Sequence, residues 1–139
     1  MNTHIRPQFD HQLSSTMWEA LRQGRLSLQH CEECSYIRFP ASELCPECWS
    51  RDASWRDVEP VGRIWSYTVY EQALHPMLKD AAPYTIALIE LDSGPTLPGR
   101  LLCGPGSEIT IGDRVTAVFT AIDSDFTMLE WVLEHPSQG

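Results

Sequence analysis

At 139 residues, 42 % of them apolar and 21 % charged, the chain has the size and composition of one ordinary globular domain or two very small ones. Its formal charge of −9 is unevenly spread: residues 1–63 carry seven arginines against nine acids, whereas residues 64–139 carry Lys79, Arg100 and Arg114 against ten. That acidic second half repels polyanions, the absence of an eighteen-residue apolar run excludes a spanning helix, and Met1 to Phe9 lacks the apolar centre of a signal peptide, so a cytoplasmic protein is expected.

Residues 1–13 mix His4, His11, Pro7 and Phe9 with few apolar anchors and read as a loosely held arm. A helix follows. Thr16-Met17-Trp18-Glu19 has the form of a capping box, Met17, Trp18, Ala20 and Leu21 make an apolar stripe, and Gly24 stands where a helix should stop. Trp18 either packs this helix on the rest of the protein or presents it to another protein.

Arg25 to His30 alternates polar and apolar residues, as a strand does, and leads into Cys31-Glu32-Glu33-Cys34. After ten intervening residues comes Cys45-Pro46-Glu47-Cys48. Two such knuckles offer four thiolates to one tetrahedral ion, which suits structural zinc, with a rubredoxin-type iron as the alternative. Tyr36 to Pro40 is the return strand of a small hairpin, so the layout is that of a zinc ribbon. A ribbon this short buries little apolar surface, and the metal has to supply part of its folding free energy. His30 adjoins a ligand, but four thiolates already complete the shell.

Ser50 to Pro60 reads as a polar connector with Trp55 embedded in it. From Val61 the pattern is β throughout: strands at 63–70, 84–91, 99–103, 114–120 and 127–133, separated by turn residues at 92–95, 104–106 and 111–113. Five short strands without a long helix suggest a Greek-key barrel of OB type, with an SH3-like barrel as competitor. The fold class is therefore mainly β: an N-terminal arm and helix (1–24), a zinc ribbon (25–60) and a five-stranded barrel (61–139). The long loop 71–83 carries Leu74, His75, Met77 and Leu78, which either close one end of the barrel or bind a ligand or partner.

No catalytic constellation emerges. There is no nucleophile elbow and no phosphate-binding glycine loop; Gly104-Pro105-Gly106 reads as a hairpin turn, and Asp123 and Asp125 as a solvated turn. Cys103 ends an apolar strand and reads as a small buried hydrophobe. A zinc holding four thiolates has no open position for water. Aromatics such as Trp65, Tyr67 and Tyr70 could stack on bases, but the charge of this half weighs against nucleic acid.

The run Met17 to Leu26, the two knuckles, Phe39-Pro40, Gly62, Ser66-Tyr67-Thr68-Val69, Pro83-Tyr84 and Ala87 to Gly94 together resemble the zinc-ribbon/OB-fold family of acyl-CoA-associated accessory proteins. Members of that family accompany thiolase-like enzymes or hot-dog-fold enoyl-CoA hydratases. The resemblance implies an N-terminal helix, a rubredoxin-like zinc ribbon (25–60) with one structural zinc on Cys31, Cys34, Cys45 and Cys48, and a C-terminal five-stranded OB-fold domain (61–139). It also implies a non-catalytic subunit that stabilises and completes a thiolase-like aldolase or acyltransferase, in fatty acyl or steroid side-chain degradation. A free-standing acyl-CoA carrier is the alternative and a nucleic-acid module the third. Ser35 and Trp49 depart from the family's knuckles, where glycine often follows the second cysteine. Candidate ligand or partner residues are Trp18, Trp65, Tyr67, His75, Met77 and Tyr84. Arg38, Arg51, Arg56 and Arg63 could meet CoA phosphates or pair with neighbouring acids.

Overall fold

A computed structural model describes residues 13–71, 83–103 and 108–134. Among the described residues there is one helix, α1 (Ser15–Arg22); it buries Ala20 and Leu21 and half-buries Met17 and Trp18, so the apolar stripe faces inward, the packing alternative for it. It starts one residue before the expected box. Ser14 is the N-cap and makes no side-chain cap bond, while Glu19 turns outward to Arg22 at 2.8 Å. The C-terminus ends as the sequence indicates. Gly24, at φ +77, lets its own N–H donate to the Leu21 carbonyl at 3.0 Å and the Arg25 N–H to that of Ala20 at 2.9 Å, a Schellman closure that favours glycine.

Three strands form the ribbon sheet in the order β2-β1-β3: β1 (Leu26–Cys31), β2 (Ile37–Arg38) and β3 (Ala53–Val58). The third corrects the sequence reading, since β3 lies in the supposed connector and pairs antiparallel with β1 from Leu26 opposite Val58 to Cys31 opposite Ala53. β3 buries neither face fully and carries Arg56 and Asp57 outward, so it lacks the alternation by which strands are recognised.

The barrel is closed, in the order β4-β5-β6-β8-β7: β4 (Val61–Tyr70), β5 (Tyr84–Leu91), β6 (Thr96–Leu101), β7 (Arg114–Asp123) and β8 (Phe126–Leu133). All five expected strands are present. β6 runs parallel to β8, with Arg100 opposite Glu130 and Leu101 opposite Trp131. β6 and β7 are therefore not hairpin partners, contrary to the expectation for the turn at 104–106, whose residues lie outside those described. Pro98, which cannot donate to a ladder, is tolerated because β6 meets β8 only at its last two residues.

A bulge divides β4. Its register against β5 shifts between Ile64 and Ser66, leaving Trp65 as the extra residue. Cross-strand partners share a face. Ile64 pairs with the buried Ile89; beyond the bulge Tyr67 pairs with Ala87 and Val69 with Thr85, both buried. The bulge thus puts Tyr67 and Val69 on the face that carries Ala87 and Ile89, where both remain exposed, and leaves Trp65 on the outer face.

One core serves every part. Leu21 of α1, Leu26 and Leu28 of β1, and Ile64, Ile89, Leu91, Leu97, Leu101, Val115 and Trp131 of the barrel belong to a single buried cluster. Helix and ribbon are packed onto the barrel through shared apolar surface, with α1 reaching β8 and β7.

Candidate functional site

The two knuckles are built alike. Ser35 N–H donates to the Cys31 carbonyl at 3.0 Å and Trp49 N–H to that of Cys45 at 2.9 Å; Cys31 N–H donates to Tyr36 and Cys45 N–H to Ser50. Each turn closes through a residue in the left-handed region, Ser35 at φ 66 and Trp49 at φ 68. For a side chain as large as tryptophan that conformation costs about 1–2 kcal/mol.

These turns bring the sulfurs together. The ligand atoms of Cys31, Cys34, Cys45 and Cys48 all lie within 4.8 Å of one another, and the Cys31–Cys48 and Cys34–Cys45 sulfurs are 3.5 and 3.6 Å apart. Four sulfurs at the usual zinc–sulfur bond length of about 2.3 Å sit about 3.8 Å from each other in a tetrahedron, so the cluster fits one zinc. Cys31 and Cys45 are buried and Cys34 and Cys48 exposed.

The thiols titrate far apart. The backbone N–H of Cys34 draws the Cys31 thiol down to about 6 against the effect of burial. At Cys48 the Ser50 N–H also acts downward, but burial and the other three sulfurs outweigh it and push the thiol up to about 12. Four thiolates this close need a cation between them. With four protein ligands the ion would have no open position, so the chemistry available here is structural. His30 stays out of the cluster; its Nδ1 lies 3.0 Å from the Leu28 carbonyl oxygen.

The other candidates are dispersed. Trp18 is half-buried against Phe126, ring centroids 5.9 Å apart, which is the packing role weighed for it. Trp65 is 59 % exposed on the bulge. Tyr67 donates its hydroxyl to the Ile109 carbonyl at 3.3 Å. Tyr84 stacks on Tyr70 at 5.0 Å with 16° between planes. Leu74, His75, Met77 and Leu78 lie outside the described residues.

Three placements were not foreseen. Cys103, expected in the core, is exposed; the β6 ladder ends at Leu101, and Cys103 reaches only the Thr85 hydroxyl, 3.9 Å away. With Tyr84, Thr85 and Arg100 it lines a cleft of about 350 Å³ at the end of β5 and β6. Arg38 is buried at 2 % exposure; Nη1 donates to the Ser42 carbonyl at 3.1 Å, while Nε and Nη2 have no acceptor. Arg56 pairs with Glu32 at 3.3 Å, consistent with ion pairing for that residue. Trp49 is 76 % exposed; its place in a glycine position of the knuckle was the sequence signal for it.

Comparison with known proteins follows the same division. Residues 18–53 match the family model described as the ChsH2 rubredoxin-like zinc ribbon domain, and residues 55–120 that of the ChsH2 C-terminal OB-fold domain. The chain is 36 % identical over 109 residues to a DUF35 domain-containing scaffold protein of Methanothermobacter thermautotrophicus, covering 76 % of this chain and 80 % of that one. It is 31 % identical over 125 residues to a probable enoyl-CoA hydratase alpha subunit of Thermomonospora curvata, covering 89 % of this chain but 39 % of the relative, so it spans about two fifths of that protein's length. Its structure is similar to a chain of a solved Ltp2-ChsH2(DUF35) aldolase, with a TM-score of 0.81 and 30 % identity over 92 % of this chain and 98 % of that chain. No helix among the described residues is long and apolar enough to cross a membrane.

Proposed function

The chain belongs to the ChsH2 family of zinc-ribbon and OB-fold proteins, which includes DUF35 scaffold proteins, and from that premise we propose that it is a non-catalytic accessory subunit of a CoA-thioester enzyme. It works in the cytoplasm, joins a thiolase-like aldolase or acyltransferase in a hetero-oligomer, and completes that enzyme's substrate site. The arm and helix (1–24), ribbon (25–60) and barrel (61–139) are its working parts. The reading is carried by one observation: the match to the aldolase's chain takes in 98 % of that chain, so helix, ribbon and barrel recur together in a protein assembled with an enzyme. A four-cysteine cluster that offers a metal no open position supports a structural role for the ion.

Co-expression with the thiolase-like protein of the same organism tests this. Co-elution is expected, with an enzyme less soluble or less active when alone. Separate elution of two proteins, with the enzyme fully active by itself, would sink the proposal. Calorimetry with acyl-CoAs on the isolated chain distinguishes the carrier alternative, which requires binding without a partner.

A further inference from the structure

We infer that the knuckle end of the ribbon is the docking face for that partner enzyme, with Trp49 seated in an apolar cleft bordered by lysine or arginine side chains. The inference rests on the accessory-subunit reading and names the surface that reading leaves open.

Trp49 occupies the position that Ser35 holds in the other knuckle, with the same backbone hydrogen bond and nearly the same left-handed φ, +68 against +66. Local folding favours glycine there, and solvent favours a polar side chain. Tryptophan satisfies neither requirement, and it is 76 % exposed. Two more apolar side chains are exposed within two residues of the cysteines, Tyr36 at 39 % and Leu44 at 37 %. Tryptophan is also, with tyrosine and arginine, among the residue types enriched at the energetic centres of protein interfaces.

Charge selects the kind of partner. Glu33, Glu43 and Glu47 are exposed around the knuckles and form no ion pair with another described residue, whereas Arg51 is the cation nearest Trp49 along the chain. An apolar centre with a net negative rim is complementary to an apolar cleft with a positive one, an arrangement that steers encounter and depends on salt.

The test measures binding of this chain to the thiolase-like enzyme of its own organism, with Trp49→Gly as the variant. Glycine suits the left-handed turn, so the thermal midpoint should be unchanged or raised while Kd rises at least tenfold. A folded Trp49→Gly chain that binds with the wild-type Kd overturns the inference and leaves the accessory-subunit reading standing. A wild-type chain that does not bind the enzyme removes both. Should Trp49→Gly fail to fold, Trp49→Asn, which also tolerates this φ, carries the same comparison. Glu43→Lys with Glu47→Lys should slow association at least fivefold at low salt and flatten its salt dependence; an unchanged association rate overturns the positive-rim assignment.

Discussion

Arg114, the first residue of β7, grips Asp92, in the turn after β5, through two bonds of 2.6 and 2.8 Å. The pair lies beside the seam between β4 and β7, which has only three registered pairs, Val61–Thr116, Gly62–Val115 and Arg63–Arg114. Glu134 adds a third contact to Arg114 at 3.5 Å. The Arg114 hydrogen bond holds the Asp92 carboxyl below its ordinary value. Since the folded value is the lower one, the interaction stabilises the protein fully above the unfolded carboxylate range and is lost as pH falls through the lowered value. Asp92→Asn should therefore lower the thermal midpoint by a few degrees at neutral pH. The gap between variant and wild type should narrow below about pH 4. A gap independent of pH down to acid unfolding would contradict this.

Gly99 of β6 lies under the indole of Trp131 on the neighbouring strand β8. A Cβ placed there would lie 2.5 Å from Trp131 Nε1 and 2.6 Å from Cδ1, and Trp131 is fully buried. Its ring has no room to retreat. Gly99→Ala should destabilise the fold by about 1–3 kcal/mol, as overpacked cores do. Urea titration monitored by tryptophan fluorescence measures the shift, and a midpoint equal to wild type would disprove the crowding.

Removing the metal tests how separate the ribbon is. A short ribbon on its own would be expected to melt apart from the barrel, but Leu26 and Leu28 of β1 are buried in the barrel's own core cluster. Chelation, or Cys45→Ser, should consequently give one cooperative transition with its midpoint lowered on the order of 10 °C, not two transitions. Elemental analysis of the starting material should find one zinc per chain. Two resolved melting steps after chelation would show that ribbon and barrel are energetically independent.

Arg38 gives a prediction of the opposite sign to most core substitutions. Two of its guanidinium nitrogens are buried with no acceptor, and such a group loses hydration without recovering it. Arg38→Met, which keeps most of the volume, should leave stability within about 1 kcal/mol of wild type or raise it. Arg38→Ala should be worse than Arg38→Met because it leaves a cavity. Chemical denaturation of the two variants ranks them, and the reverse order would show that the charge itself is needed.

The features legible in the sequence are those written in local spacing. The knuckles place four sulfurs by turn geometry alone, Gly24 ends α1 because the Schellman turn needs its φ, and the barrel strands alternate strongly enough to be recognised one by one. β3 escaped because a strand with neither face fully buried, carrying Arg56 and Asp57, has no alternation to show. The bulge escaped for the converse reason: alternation from Arg63 to Val69 reads straight through Trp65, and only the register against β5 reveals that Tyr67 has changed sides. Cys103 was misplaced because an apolar run does not announce where its ladder ends. The neighbourhood of β6 and β8 is a long-range pairing that no local pattern encodes.

The packing of α1 against β8 also sets a schedule. Every strand partner in the ribbon has emerged by Val58, so the ribbon can take up its metal while the chain is still being synthesised. The helix made before it can settle on β1 at once through Leu21, Leu26 and Leu28, but its other support must wait: Trp18 finds Phe126, and Leu101 finds Trp131, only when the last strand arrives. The helix is therefore held on one side early and on the other only at the end of synthesis. A chain halted before β8 would expose an open barrel, the Leu26 and Leu28 side chains that the barrel should cover, and the Trp18 side of the helix, apolar surface of the kind that makes partly folded chains prone to aggregate.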